Sequence, residues 1–316
     1  MKLIECVPNI SEGRDKNKID AIVRAAALRG VKILHVDTGH DANRTVITFA
    51  GTPEKVFEAA FALVQKSCEL IDMRGHGGAH PRLGAVDVCP FIPLDGATMQ
   101  DCVDAAKKLA EKVAAELQTP VYLYEEAASS PERKNLAFIR KGGYENLAQK
   151  LKELPPDYGP AEMSPAAQKS GALITGARNI LIAYNVTLDS DDVGKAKQIA
   201  AVLRQNLKAV KTLGWAAPRY NAAQVSFNIT DYKTTSLYDI YEACKAEADK
   251  LALKVKGSEI IGLVPEAALV RAGKKYLSGD GVTHSKEQKI NAAAAALNLN
   301  LHAPFIPAEK IIEYKL

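Results

Sequence analysis

The residue types best suited to chemistry crowd into residues 72–87, a stretch that holds two of the chain's six histidines, four glycines and two arginines. His76 and His80 stand four apart, the spacing that presents two metal ligands on one face of a helix. Gly77, Gly78 and Pro81 argue against a helix at that point. No third ligand with metal-like spacing lies nearby, although Asp72 or Asp87 could converge in space, so no metal is expected. Proton transfer fits better. Imidazole is the only side chain whose unperturbed pKa lets it both take and give a proton near neutrality. Gly75, Gly77, Gly78 and Gly84 let the backbone approach a ligand closely, and Arg74 and Arg82 flank His80 as carboxylate anchors. His80 is therefore expected to be a general acid–base group.

Two other positions bear on it. Asp37 ends one strand-like segment and Arg44 starts the next, across a short polar connection at residues 38–43. Asp37 either orients His80, or holds its charged form, or caps the turn, a common use of aspartate. Asn9, after the first strand, either lines the same edge or serves as a turn residue.

The elements that must hold these side chains follow from periodicity. Apolar spacing stops at Ile71 and resumes at Leu83, so the reactive stretch is a loop leaving a helix and entering a strand, where function commonly sits. Residues 3–8 read as a strand. A helix carrying Ile19, Ile22, Val23 and Ala26 follows and ends at Gly30. Strands are expected over 31–37 and 44–50. A helix then starts at Thr52-Pro53, where Thr suits the cap and Pro the first turn, and runs to about residue 72. A strand over 85–91 completes a β-α-β-β-α-β order, the split βαβ arrangement of a ferredoxin-like sheet. A helix over 99–117 and a strand over 121–124 extend it.

Residues 153–176 are rich in proline and glycine and lack an apolar period. They read either as an interdomain linker or as a functional loop. Beyond them the order repeats: strand 180–188, helix 191–207, strands 210–215 and 222–229, helix 236–251 and strand 254–263, then a mainly helical end. The expected fold is α+β, with two ferredoxin-like (βαββαβ) subdomains and a ligand cleft between them. Residues 1–177 form the subdomain with the reactive loop and residues 178–316 form the second.

With 47% hydrophobic and 25% charged residues, the 316-residue chain has ordinary globular composition. Its 41 basic and 37 acidic side chains leave a net charge of +4, which permits an anionic ligand without arguing for nucleic acid. The short basic runs Arg133-Lys134 and Arg140-Lys141 read as solvated surface. Five cysteines without a C-x-x-C pair offer neither a zinc ribbon nor a redox motif; Cys6 and Cys89 read as buried thiols. The start lacks the long apolar region of a signal peptide, and no apolar run approaches the roughly 20 residues of a membrane span. A cytoplasmic protein without membrane or nucleic-acid partners is expected.

Several blocks in order resemble one family. Glu5-Cys6-Val7-Pro8-Asn9-Ile10-Ser11-Glu12-Gly13 resembles the opening of glutamate formimidoyltransferases, the formiminotransferase domain of the formiminotransferase-cyclodeaminase family. Asn43-Arg44-Thr45-Val46 resembles a second block, and the most specific third block runs from His80-Pro81-Arg82-Leu83-Gly84 through Pro93. Pro120 to Tyr124, Gly171-Ala172 with Thr175 to Arg178, Gly262 to Pro265 and Ile311 to Tyr314 follow in the family's order.

The resemblance implies two subdomains around a folate-binding tunnel and transfer of the formimino group from N-formimino-L-glutamate to N5 of tetrahydrofolate, in histidine degradation. It implies that His80, in the His-Pro-Arg block, is the catalytic histidine. It also implies folate contacts over roughly residues 159–171, including Gly159, Pro160 and Gly171, which favours the functional-loop reading of that segment. In that frame N5 attacks the formimino carbon, the amine of glutamate departs, and His80 moves the proton, with Asp37 favouring its protonated form. Arg44, Arg82 and Asn9 are the expected substrate contacts, because the donor carries two carboxylates. Tetrahydrofolate is the expected co-substrate, and a homodimer is left open. Formyl transfer between 5-formyltetrahydrofolate and glutamate, a folate-binding protein without turnover, and a metal hydrolase remain as alternatives.

Overall fold

The computed structural model, which describes residues 2–78, 80–278 and 282–316, falls into two compact units, Met1–Asn179 and Ile180–Leu316. Ala79, part of the reactive stretch, lies outside the described residues. The chain is α+β, with a sheet and helices in each unit.

In the first unit β1 (Ile4–Cys6) and β2 (Asn9–Ile10) lead to α1 (Lys16–Ala27), β3 (Lys32–Gly39), β4 (Arg44–Gly51), α2 (Pro53–Leu70), β5 (Val86–Pro93), α3 (Met99–Leu117) and β6 (Val121–Glu125). The short helices α4 (Leu136–Arg140), α5 (Leu147–Glu153) and α6 (Pro165–Ser170) and the strand β7 (Leu173–Ala177) complete it. Asp15 caps α1 by accepting from the Asn17 and Lys18 amides, the ordinary way to satisfy free first-turn donors. Thr52 stands at the cap of α2 but makes no capping bond there. Pro53, which has no N–H to satisfy, is what suits that helix to its start.

β3 pairs with β4, β4 with both β1 and β2, and these with β5, all antiparallel. β7 then joins β5 and β6 as parallel partners. Alternation along β4 decides what each face carries. Ile47 and Phe49 enter a core shared with Ile4, Cys6, Cys89 and Phe91 and with residues of α1, α2 and α3. Each such fully buried aromatic contributes about 1.5–3 kcal/mol. Arg44, Val46 and Thr48 therefore fall on the opposite face.

Residues 153–176 depart from a linker. They belong to the first unit, and they are stapled to its sheet. Asp157 accepts from the Leu123 amide at 2.7 Å and pairs with Arg133 at 2.7 Å. Tyr158 bridges to Val121, and the Tyr122 hydroxyl donates to the Leu154 carbonyl. The segment ends in β7, which the sequence left as loop. Gly171 makes that possible: its φ is +70°, and an added Cβ would lie 2.3 Å from the Leu83 carbonyl oxygen. Only glycine fits such an approach.

The second unit runs β8 (Ile182–Leu188), α7 (Val193–Asn206), β9 (Val210–Ala217), β10 (Ala222–Ile229), α8 (Leu237–Lys250), β11 (Val255–Ile261), α9 (Glu266–Tyr276), α10 (Lys286–Ala296) and α11 (Pro307–Lys310). Its strands form an antiparallel sheet in the order β11-β8-β10-β9. Tyr184, Val186, Val225 and Phe227 point from that sheet into a core made with α7, α8, α9 and α10. The alternate positions Asn185, Thr187, Gln224 and Glu259 give the other face a polar character. Among the described residues no helix is long and apolar enough to cross a membrane.

Candidate functional site

The loop after α2 is held on both sides. Asp72 accepts from the Arg74 amide and pairs with its guanidinium at the surface, so Arg74 serves the loop's own turn. Asn43, at the end of the β3–β4 connection, donates to the Gly77 carbonyl at 3.0 Å and accepts from the Gly13 amide at 3.0 Å. Gly78 packs so closely on the Ala42 carbonyl oxygen that a Cβ would lie 2.3 Å from it. The loop thus rests directly on the hairpin that carries Asp37 and Arg44.

His76 is part of this support. Its Nε2 lies 3.1 Å from the Asn43 carbonyl oxygen, and its Nδ1 lies 3.0 Å from Arg82 Nε. A carbonyl only accepts and a guanidinium only donates, so the ring is neutral with its hydrogen on Nε2. Burial lowers its pKa, in keeping with that state.

Arg82 was expected to meet a substrate carboxylate. Its guanidinium makes a two-pronged pair with Glu145, at 2.8 and 2.6 Å, and donates to the His76 ring and carbonyl. The Tyr144 amide donates to the Arg82 carbonyl. Arg82 is a clasp between the loop and the segment before α5.

His80 sits half-buried beyond this clasp. Its Nδ1 lies 2.7 Å from the Pro81 carbonyl oxygen, which only accepts. The hydrogen is therefore on Nδ1, and Nε2 carries the lone pair. Burial, and then the positive charges of Arg44 and Arg140, lower the His80 pKa from 6.5 to about 3; Asp87 acts in the opposite direction. His80 is a neutral base beside two guanidiniums.

Asp87 is the centre that gathers those guanidiniums. Arg44 Nη1 donates to Asp87 Oδ2 at 2.5 Å, and Arg140 Nη2 donates to the same oxygen at 2.7 Å. Arg140 Nε and the Leu83 amide donate to Oδ1 at 3.2 and 2.9 Å. The Asp87 side chain is 0% exposed. Burial alone would raise its pKa, but Arg140 and Arg44 outweigh that and hold the carboxyl well below the usual carboxylate range.

Asn9 joins through its Oδ1, which accepts from Arg44 Nε at 3.0 Å, while its amide donates to the Val7 carbonyl. Asp37, on β3 opposite Val46 of β4, lies 3.5 Å from the His35 ring. Asp87 is one carboxylate among the charges acting on His80. Gly159 and Pro160 follow the Tyr158–Val121 bridge, and Gly171 crosses Gly84 where the loop enters β5. Among the described residues no group of three His, Cys, Asp or Glu side chains could hold a metal ion.

Sequence reasoning missed Arg140, which it placed on the solvated surface, and treated Arg133 the same way. Both are largely buried cations paired with buried carboxylates. The available signal was Asp87 itself. A carboxylate inside an apolar strand must find a cation, because an unpaired buried charge is too costly.

Two family models match the chain: the N-terminal subdomain of the formiminotransferase domain over residues 3–178, and the formiminotransferase domain over residues 183–316. Rat formimidoyltransferase-cyclodeaminase is 45% identical over 99% of this chain, which spans 60% of that relative's length. A glutamate formimidoyltransferase from Thermoplasma acidophilum is 43% identical over 93% of the chain and 99% of its own length. One from Streptococcus pyogenes is 41% identical over 90% of the chain and 97% of its own.

Proposed function

The chain belongs to the formiminotransferase domain family, and on that premise we propose that it moves the formimino group of N-formimino-L-glutamate to N5 of tetrahydrofolate. The products are 5-formiminotetrahydrofolate and L-glutamate, a step of histidine degradation, and the enzyme acts in the cytoplasm. Tetrahydrofolate is its co-substrate, and its substrates are small molecules. Residues 1–177 and 178–316 are the two subdomains of the transferase.

The observation that carries this reading is His80, whose Nδ1 is engaged by the Pro81 carbonyl so that Nε2 keeps the lone pair a base needs. Formimino transfer needs one group that is first a base and then an acid. N5 attacks the formimino carbon and a tetrahedral intermediate forms. The bond to the glutamate nitrogen then breaks, and the proton lost by N5 reaches the departing amine. His80 Nε2 takes that proton and returns it. Asn9 orients Arg44, Arg82 fixes the loop, and Asp37 supports the hairpin side of the site. Residues 159–171, with Gly159, Pro160 and Gly171, contribute folate contacts.

The test is direct. Purified protein mixed with formiminoglutamate and tetrahydrofolate should yield glutamate and 5-formiminotetrahydrofolate by mass spectrometry. Absence of both products refutes the reading. Equal turnover with a formyl donor in place of the formimino donor moves the assignment to formyl transfer.

A further inference from the structure

The reaction proposed above leaves open what recognises the donor's charge. Resting on that reading, we propose that Arg140 is a donor-binding residue that, with Arg44, receives a carboxylate of the formimino donor beside His80, and that Asp87 is the positioning residue holding both guanidiniums.

The hydrogen bonds of these residues define the receptor. Both guanidiniums donate to the same oxygen, Asp87 Oδ2, which keeps them side by side. Arg44 spends Nη1 on Asp87 and Nε on Asn9; Arg140 spends Nη2 and Nε on Asp87. That leaves Arg44 Nη2 and Arg140 Nη1 without a hydrogen-bond partner among the described residues, and neither nitrogen is sealed from solvent. Both side chains are otherwise largely covered, at 10% and 14% exposed.

The charges do not close either. Two guanidiniums face one carboxylate, and an excess positive charge in a covered place calls for an anion. Three other carboxylates of the loop and its supports are engaged elsewhere. Glu145 holds Arg82, Asp72 holds Arg74, and Glu12 accepts from the Arg14 and Asp15 amides. A ligand carboxylate bridging the two unused terminal nitrogens supplies the missing charge with strong, charge-assisted bonds.

This arrangement ties donor binding to proton transfer. Among the described residues, the groups that act most on the His80 ring are Arg44 from β4, Arg140 from α4, Asp87 from β5 and the Pro81 carbonyl. A bound carboxylate offsets the two cations that disfavour the imidazolium, so His80 becomes a stronger base once the donor is in place. The N5–carbon bond forms, the carbon–nitrogen bond to glutamate breaks, and His80 Nε2 holds the proton between the two events.

Arg140→Gln and Arg140→Lys, with wild type, decide the matter by steady-state kinetics. Arg140→Gln should raise KM for formiminoglutamate about tenfold or more, the scale of one charge-assisted contact, while KM for tetrahydrofolate stays put; Arg140→Lys should recover part of the loss. Donors in which either carboxylate is replaced by an amide provide a second arm. Wild type should disfavour one of them about tenfold or more, and Arg140→Gln should lose that preference.

A third arm needs no variant. In wild type the acid limb of kcat, which reports the complex, should lie at higher pH than that of kcat/KM, which reports free enzyme. An unchanged donor KM in Arg140→Gln, an equal rise in both KM values, or coincident acid limbs in wild type would overturn the role. Any of those results with glutamate still released leaves the reaction standing, whereas no glutamate from wild type removes the reaction itself.

Discussion

The buried polar groups of the two units are built differently. In the first unit, Asp87 binds Arg44 and Arg140, and the charges do not cancel. In the second, the polar face of the sheet closes mostly on itself. Gln224 Nε2 donates to Thr187 Oγ1 at 3.0 Å and to Glu259 Oε1 at 2.9 Å, and Asn185 donates to the same carboxylate oxygen at 3.2 Å. His302 lies 2.9 Å from Thr187 Oγ1 and stacks on Tyr220 with ring centroids 3.5 Å apart. The partners of Glu259 there are neutral amides, and the atoms left over, Gln224 Oε1 and Trp215 Nε1, are neutral too. A network of one carboxylate with amide and hydroxyl partners can fix strand register and offer single hydrogen bonds. A charged cluster with an excess cation also holds the neighbouring His80 imidazole neutral, the form that can accept a proton.

The sharpest way to break this contrast is to remove the carboxylate at the charged centre. Asp87→Ala leaves two buried guanidiniums without a counter-ion and should cost on the order of 3–5 kcal/mol, read as a fall in the urea midpoint. A loss below about 1 kcal/mol would mean that the cluster is already solvated. The matching change in the second unit is Gln224→Leu, which strips Thr187 and Glu259 of a donor. It should cost about 1–3 kcal/mol and leave the acid limb of the rate profile where it was; a moved limb would tie this network to His80.

The smallest effect is expected from Glu145→Gln. Its side chain is 65% exposed while its partner Arg82 is largely covered, so the pair is worth less than about 1 kcal/mol in stability. A larger fall in the same urea measurement would make the Arg82 clasp central to folding rather than to loop placement.

Local periodicity made much of the fold legible. The strands and helices around residues 4–117 and 182–261 follow alternation and 3.6-residue spacing, which depend on neighbours in the chain. β7 was not legible, because five residues after a proline- and glycine-rich run are a strand only through parallel pairing with β5 and β6. The reactive loop was readable from His80 and its glycines. The partners of its arginines were not: Arg140 meets Asp87 across 53 residues and Arg82 meets Glu145 across 63. Charge type shows that a cation needs an anion, but separations of that length hide which one.

The central claim is that His80 carries the proton. It is tested most directly by single-turnover transfer with both substrates saturating, comparing wild type with His80→Ala. The variant should still fold and bind tetrahydrofolate, while transfer slows on the order of a hundredfold or more, the scale of losing a general acid–base group. A transfer rate equal to that of wild type would contradict the account and remove His80 from the chemistry.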